Sequence, residues 1–102
     1  MKFNKTIVKG NETTYNVVNM LIPQTAEIGT VRLVVNSSNK QIKLYNNSPF
    51  YSNKRLAYEI YNNLEQLNAT TEYYIVAMEE DGLDLSYYNY ETITKLYNKE
   101  MR

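Results

Sequence analysis

Thr30-Val31-Arg32-Leu33-Val34-Val35-Asn36-Ser37-Ser38-Asn39-Lys40-Gln41-Ile42-Lys43-Leu44-Tyr45 sets two runs rich in β-branched and apolar residues around a cluster of turn formers. The pattern predicts a β-hairpin with strands over 30–35 and 40–45 and a loop at Asn36-Ser37-Ser38-Asn39. A four-residue loop pairs Val35 with Lys40, Leu33 with Ile42 and Val31 with Leu44 on an apolar face. The other face then pairs Thr30 with Tyr45, Val34 with Gln41, and Arg32 with Lys43. The last is a like-charge opposition, which costs a strand pair on the order of a few tenths of a kcal/mol to 1 kcal/mol.

Upstream, runs over 2–9 and 12–21 flank Gly10-Asn11, a pair suited to a type II′ turn, and predict a first hairpin. Thr13, Thr14, Val17 and Val18 argue against the competing helix over 12–22, because branching at Cβ restricts χ1 in a helix and suits a strand. A two-residue loop sets Lys9 opposite Glu12, Ile7 opposite Thr14, Lys5 opposite Asn16 and Phe3 opposite Val18, gathering Phe3, Ile7 and Val18 on one face.

Downstream, Asn46-Asn47-Ser48-Pro49 ends the strand pattern, and the apolar period changes to that of a helix. Leu56, Ile60, Leu64 and Leu67 form one stripe, flanked by Ala57 and Tyr61, with Ser52 or Asn53 as the cap. Residues 71–78 follow as a strand whose two faces, Tyr73, Ile75 and Ala77 against Tyr74, Val76 and Met78, are both apolar, which places it inside a sheet. Glu79-Glu80-Asp81-Gly82 is a turn, and Ser86 or Asn89 starts a last helix that turns Tyr90, Ile93, Leu96, Tyr97 and Met101 inward. The expected fold is therefore α+β: a single domain over 1–102, order ββββαβα, with about five mostly antiparallel strands and two helices packed on one face. A chain of 102 residues buries roughly two-thirds of its unfolded surface and has no material for a second core.

Charge is divided along the chain. Residues 1–55 carry eight Lys/Arg against two Asp/Glu, and residues 56–102 carry three against nine, so the formal net charge of zero joins two halves of opposite sign. The chain has no Cys and no His, which removes thiolate catalysis, disulfides, the usual zinc ligands and the commonest general base. No GxxxxGK[ST] or GxGxxG motif occurs, and three glycines leave little for a phosphate-cradling loop. The reading is of a non-enzyme without cofactor or metal. Glu79, Glu80, Asp81 and Asp84 do not match an EF-hand spacing and read as a solvated turn rather than a cation site. The amino terminus lacks the apolar run of a secretory signal, and no stretch approaches the roughly 20 apolar residues of a membrane span. Asn, Lys, Ile and Tyr are abundant while Gly, Pro, Trp, Cys and His are scarce or missing. That usage suits an AT-rich genome, so the expected setting is the cytoplasm of a low-GC bacterium, with a phage as one source.

Eleven tyrosines are the second unusual feature, since Tyr supplies large contact area at low entropic cost. Tyr87 and Tyr88 beside Glu79, Glu80, Asp81 and Asp84 have the composition of an interface centre with a charged rim. These six residues are the candidate partner-binding site. The expected function is a small protein-binding domain, in one version a phage or mobile-element inhibitor of a host nucleic-acid enzyme, of the anti-CRISPR kind. In that version carboxylates occupy a cationic groove that normally holds phosphate. Arg32, Lys43 and Tyr45 on the outer face of the second hairpin are the candidates for an alternative, nucleic-acid binding by cations beside a stacking ring. A phage structural or assembly protein, with halves of opposite sign meeting head to tail, is the other alternative. The chain is expected to be monomeric or weakly self-associating.

Overall fold

A computed structural model describes residues 2–18, 31–48, 51–79 and 84–100, with only the backbone described at 84, 85 and 96–100. Six strands, β1 (Lys2–Lys9), β2 (Glu12–Val18), β3 (Val31–Asn36), β4 (Gln41–Asn46), β5 (Tyr74–Met78) and β6 (Asp84–Tyr88), form one sheet whose spatial order equals their order in the sequence. All neighbours are antiparallel except β4 and β5. The parallel pair is joined by helix α1 (Asn53–Tyr61) and a 3-10 turn at Leu64–Leu67, because parallel neighbours need a long crossover. Helix α2 (Tyr90–Glu100) follows β6.

The helices cover one face of the sheet. Phe3, Tyr15, Val31, Leu33, Val35, Ile42, Leu44 and Ile75 share one side and pack into a single core with Leu56, Ala57, Ile60, Tyr61 and Leu67 of the crossover and Ile93 of α2. This is the expected α+β architecture, with six strands in place of about five. The added strand is β6. Leu85, Tyr87 and Tyr88 are good strand residues, and pairing with β5 satisfies an edge that would otherwise stay open. The final helix therefore starts after Asn89, not at Ser86: the Asn89 side chain accepts the Thr92 N–H at 2.8 Å, the ordinary N-cap bond. Ser52 caps α1 in the same way, accepting the Arg55 N–H at 3.1 Å. The stripe from Leu56 to Leu67 is not one helix, since α1 ends at Tyr61. Asn63 bonds its side chain back to the Glu59 carbonyl at 2.7 Å, Asn68 takes a left-handed φ of 52°, and the 3-10 turn between them still buries Leu67.

Two registers differ from the sequence reading. In the second hairpin Asn36 pairs with Gln41 and the loop is Ser37 to Lys40, so every pairing moves by two residues while the faces stay the same. The cause is the Asn36 side chain, whose Oδ1 accepts the N–H of Ser38 at 2.9 Å and of Asn39 at 3.3 Å, closing an Asx-type turn one residue later. Lys40 closes the loop with φ 56°. Arg32 consequently faces Tyr45 rather than Lys43, which faces Val34. In the first hairpin the Gly10 turn, with φ 61°, pairs Lys9 with Glu12 and Ile7 with Thr14 as expected. A bulge between Lys5 and Ile7 then moves Phe3 opposite Val17 and Lys5 opposite Tyr15. Phe3 is buried and Ile7 is 58 % exposed, so Phe3, Ile7 and Val18 do not share a face. The expected positions of Thr30, Glu80, Asp81, Met101 and residues 19–22 lie outside the described residues.

Candidate functional site

The side of the sheet away from the helices carries three cross-strand rows. One runs Asn4, Asn16, Arg32, Tyr45, Met78 and ends at the backbone of Asp84. The next runs Ile7, Thr14, Val34, Lys43, Val76, Tyr87, and the third runs Lys9, Glu12, Asn36, Gln41, Tyr74. Val76 and Met78 are buried on this face although neither belongs to the helix-side core, which explains why β5 is apolar on both sides.

Two clusters stand out. On the central strands the Arg32 guanidinium carbon lies 4.3 Å from the centre of the Tyr45 ring, within cation–π range, and Lys43 is one row away on the same strand as Tyr45. The structure thus brings Arg32 and Tyr45 together. At the sheet edge β5 and β6 form a hairpin, with Glu79 and Asp84 at its two stems. Glu79 is exposed, Glu80 and Asp81 fall outside the described residues, and Asp84 is placed by its backbone opposite Met78.

Tyr87 and Tyr88 are separated by strand alternation. Tyr87 sits on the open face beside Val76 and is 63 % exposed. Tyr88 turns to the helix side, packs against the core and accepts a hydrogen bond from the Ser86 hydroxyl at 3.0 Å. The backbone around Tyr88 is anchored by Tyr61, whose hydroxyl donates to the Tyr73 carbonyl at 2.7 Å and lies 3.2 Å from the Tyr88 carbonyl. Burial holds the Tyr61 hydroxyl well above its ordinary range, so it stays protonated and able to donate. Tyr61 also meets Tyr90 edge to face, with centroids 5.7 Å apart. Gln41 and Tyr74 were not singled out from the sequence, yet the Gln41 amide donates to the Tyr74 hydroxyl at 3.3 Å on the open face. Only the parallel β4–β5 pairing brings them together.

Among the described residues no group of three or more His, Cys, Asp or Glu side chains is placed to hold a metal ion, and no helix is long and apolar enough to cross a membrane. The arrangement defines a small α+β sheet domain with helices on one face and a mixed polar and aromatic surface on the other. Compared with protein-family models, curated proteins and solved structures, the chain matches none.

Proposed function

We propose that this is a non-enzymatic protein-binding domain that engages a larger partner through the β5–β6 edge hairpin. The observation that carries the reading is Tyr87, a large side chain 63 % exposed on a hydrogen-bonded strand rather than on a loop. A Tyr on a fixed backbone offers broad contact area with little entropy left to lose, the property that makes Tyr a frequent anchor of interfaces. The sequence from the end of β5 to the start of β6 contains Glu79, Glu80, Asp81 and Asp84 and no cation, which suits a partner with a positively charged surface. Tyr88 supports the site from the core side by fixing the strand that carries Tyr87.

In its concrete form the partner is a nucleic-acid enzyme of a low-GC bacterial host, and the carboxylates stand in a groove that otherwise holds phosphate, as an anti-CRISPR protein of a phage would place them. The test adds the protein to a purified RNA-guided DNA nuclease from such a host and measures binding of the target DNA. Competition by the wild-type protein is the expected result. Neutralising the four carboxylates to Gln and Asn should then slow association, whereas Tyr87→Ala should speed dissociation. No competition by the wild-type protein would remove the enzyme-inhibitor version. Competition with kinetics unchanged in both variants would remove the hairpin as the interface.

A further inference from the structure

We infer that the open face of β2–β4 is a second, separate site that takes a short segment of single-stranded nucleic acid. Three observations converge. The Arg32 guanidinium carbon lies 4.3 Å from the centre of the Tyr45 ring, so a cation and an aromatic ring are held in contact on adjacent central strands. A guanidinium plane carried on a Tyr ring is a surface on which a base stacks, and the stack needs no particular base. Lys43 lies in the neighbouring row, two residues from Tyr45 along β4, and a strand rise of about 3.3 Å per residue puts it roughly 7 Å from the platform, the scale on which a phosphate linked to a stacked base would run.

The rest of the surface agrees with that ligand. Exposed Asn16 of β2 stands directly opposite Arg32 of β3 and provides both a donor and an acceptor for a base edge. Neither β3 nor β4 contains an Asp or Glu, and Glu12, at the turn end of β2, is the only acidic residue in the open-face rows of β2 to β4. Among the described residues no helix or ribbon projects from this face to enter a duplex groove, whereas a sheet face can receive splayed bases. An acidic peptide would use the two cations and leave the stack idle.

The site is small, two cations and one platform, so binding is expected to be weak and strongly dependent on salt. The experiment follows fluorescence anisotropy of a labelled single-stranded oligonucleotide of about a dozen nucleotides, in RNA and DNA forms, as salt rises from about 50 to 200 mM. The expected slope of log affinity against log salt is about −1.4, from two phosphate contacts at roughly −0.7 each on a single strand. Lys43→Gln should halve that slope. Tyr45→Leu and Arg32→Gln should each weaken binding roughly 5- to 100-fold by removing the stack, and an abasic oligonucleotide should bind wild-type protein as weakly as those variants bind the normal one. Thermal melts confirm that each variant is folded, and Lys95→Gln on α2, away from the face, should change nothing. Three results would each overturn the inference: no anisotropy change at the lowest salt, equal binding of abasic and normal strands, or displacement by poly-glutamate with Tyr45→Leu at wild-type affinity. The last would assign the face to an acidic protein instead.

Discussion

β1 buries one residue of eight, Phe3, whereas β5 buries four of five, and the contrast runs across the whole sheet. Strand order in space equals strand order in sequence, so the uneven charge of the chain becomes an uneven charge of the sheet. Strands β1 to β4 carry Lys2, Lys5, Lys9, Arg32 and Lys43 against Glu12, while β5 and β6 contain no cation. The first edge has the marks of a strand kept from pairing with others, three lysines and a bulge. The last edge is paired along β5 and exposes Tyr87. Similar hairpin chemistry thus yields one edge lined with lysines and one that exposes Tyr87, the anchor of the proposed interface.

The sharpest way to break the comparison is to truncate an isoleucine at each end. Ile75 is fully buried, and Ile75→Ala should cost about 2–5 kcal/mol in urea denaturation, the range for a large core side chain that leaves a cavity. Ile7 is 58 % exposed, and Ile7→Ala should stay within about 0.5 kcal/mol. Equal costs would show that the two ends do not differ in packing.

Next in size is Tyr61→Phe, which leaves the Tyr73 and Tyr88 carbonyls without the buried hydroxyl and should cost about 1–2 kcal/mol. It also sharpens the comparison through pH. Burial raises the Tyr61 pKa in the folded chain, so its contribution is whole below the ordinary value near 10 and is lost as pH rises above it, because the unfolded chain ionises first. Stability measured from about pH 9 to 11 should therefore fall less steeply in Tyr61→Phe than in the wild-type protein. Parallel curves would contradict the buried, protonated hydroxyl.

A smaller effect is expected at Arg32→Thr. The register expected from sequence opposes Arg32 to Lys43 and makes this change stabilising. The observed register stacks Arg32 on Tyr45, so the change should instead destabilise by under about 1 kcal/mol. A gain in the melting temperature would favour the other register.

Much of the fold is legible in the residues. Alternation gives the faces of β3 and β4, the period change at Ser52 gives α1, and Asn89 marks the start of α2. What is not legible depends on interactions across the chain or on a single side chain. Asn36 chooses the loop by accepting two backbone N–H groups, a competition that hydrophobic pattern does not report. The bulge near Thr6 moves Phe3 off the face that carries Ile7 without any Gly or Pro to signal it. β6 is hidden because Ser86-Tyr87-Tyr88 sits directly before a helix cap, and only β5 as a neighbour draws it into the sheet. Of the candidate site residues, Arg32 and Tyr45 come into contact through that unforeseen register. Tyr87 and Tyr88, adjacent in sequence, part because a strand turns successive side chains to opposite faces.

The most direct measurement on the edge hairpin places a photo-cross-linking amino acid at position 87 and, in a second protein, at the exposed position 95 of helix α2. Each is irradiated in cytosolic extract of a low-GC bacterial host and the adducts are resolved by mass. The expected result is one discrete protein adduct from position 87, absent when Glu79, Glu80, Asp81 and Asp84 are neutralised, and none from position 95. Equal adducts from both positions, or an adduct at 87 that survives neutralisation of all four carboxylates, would contradict an acidic, tyrosine-anchored interface.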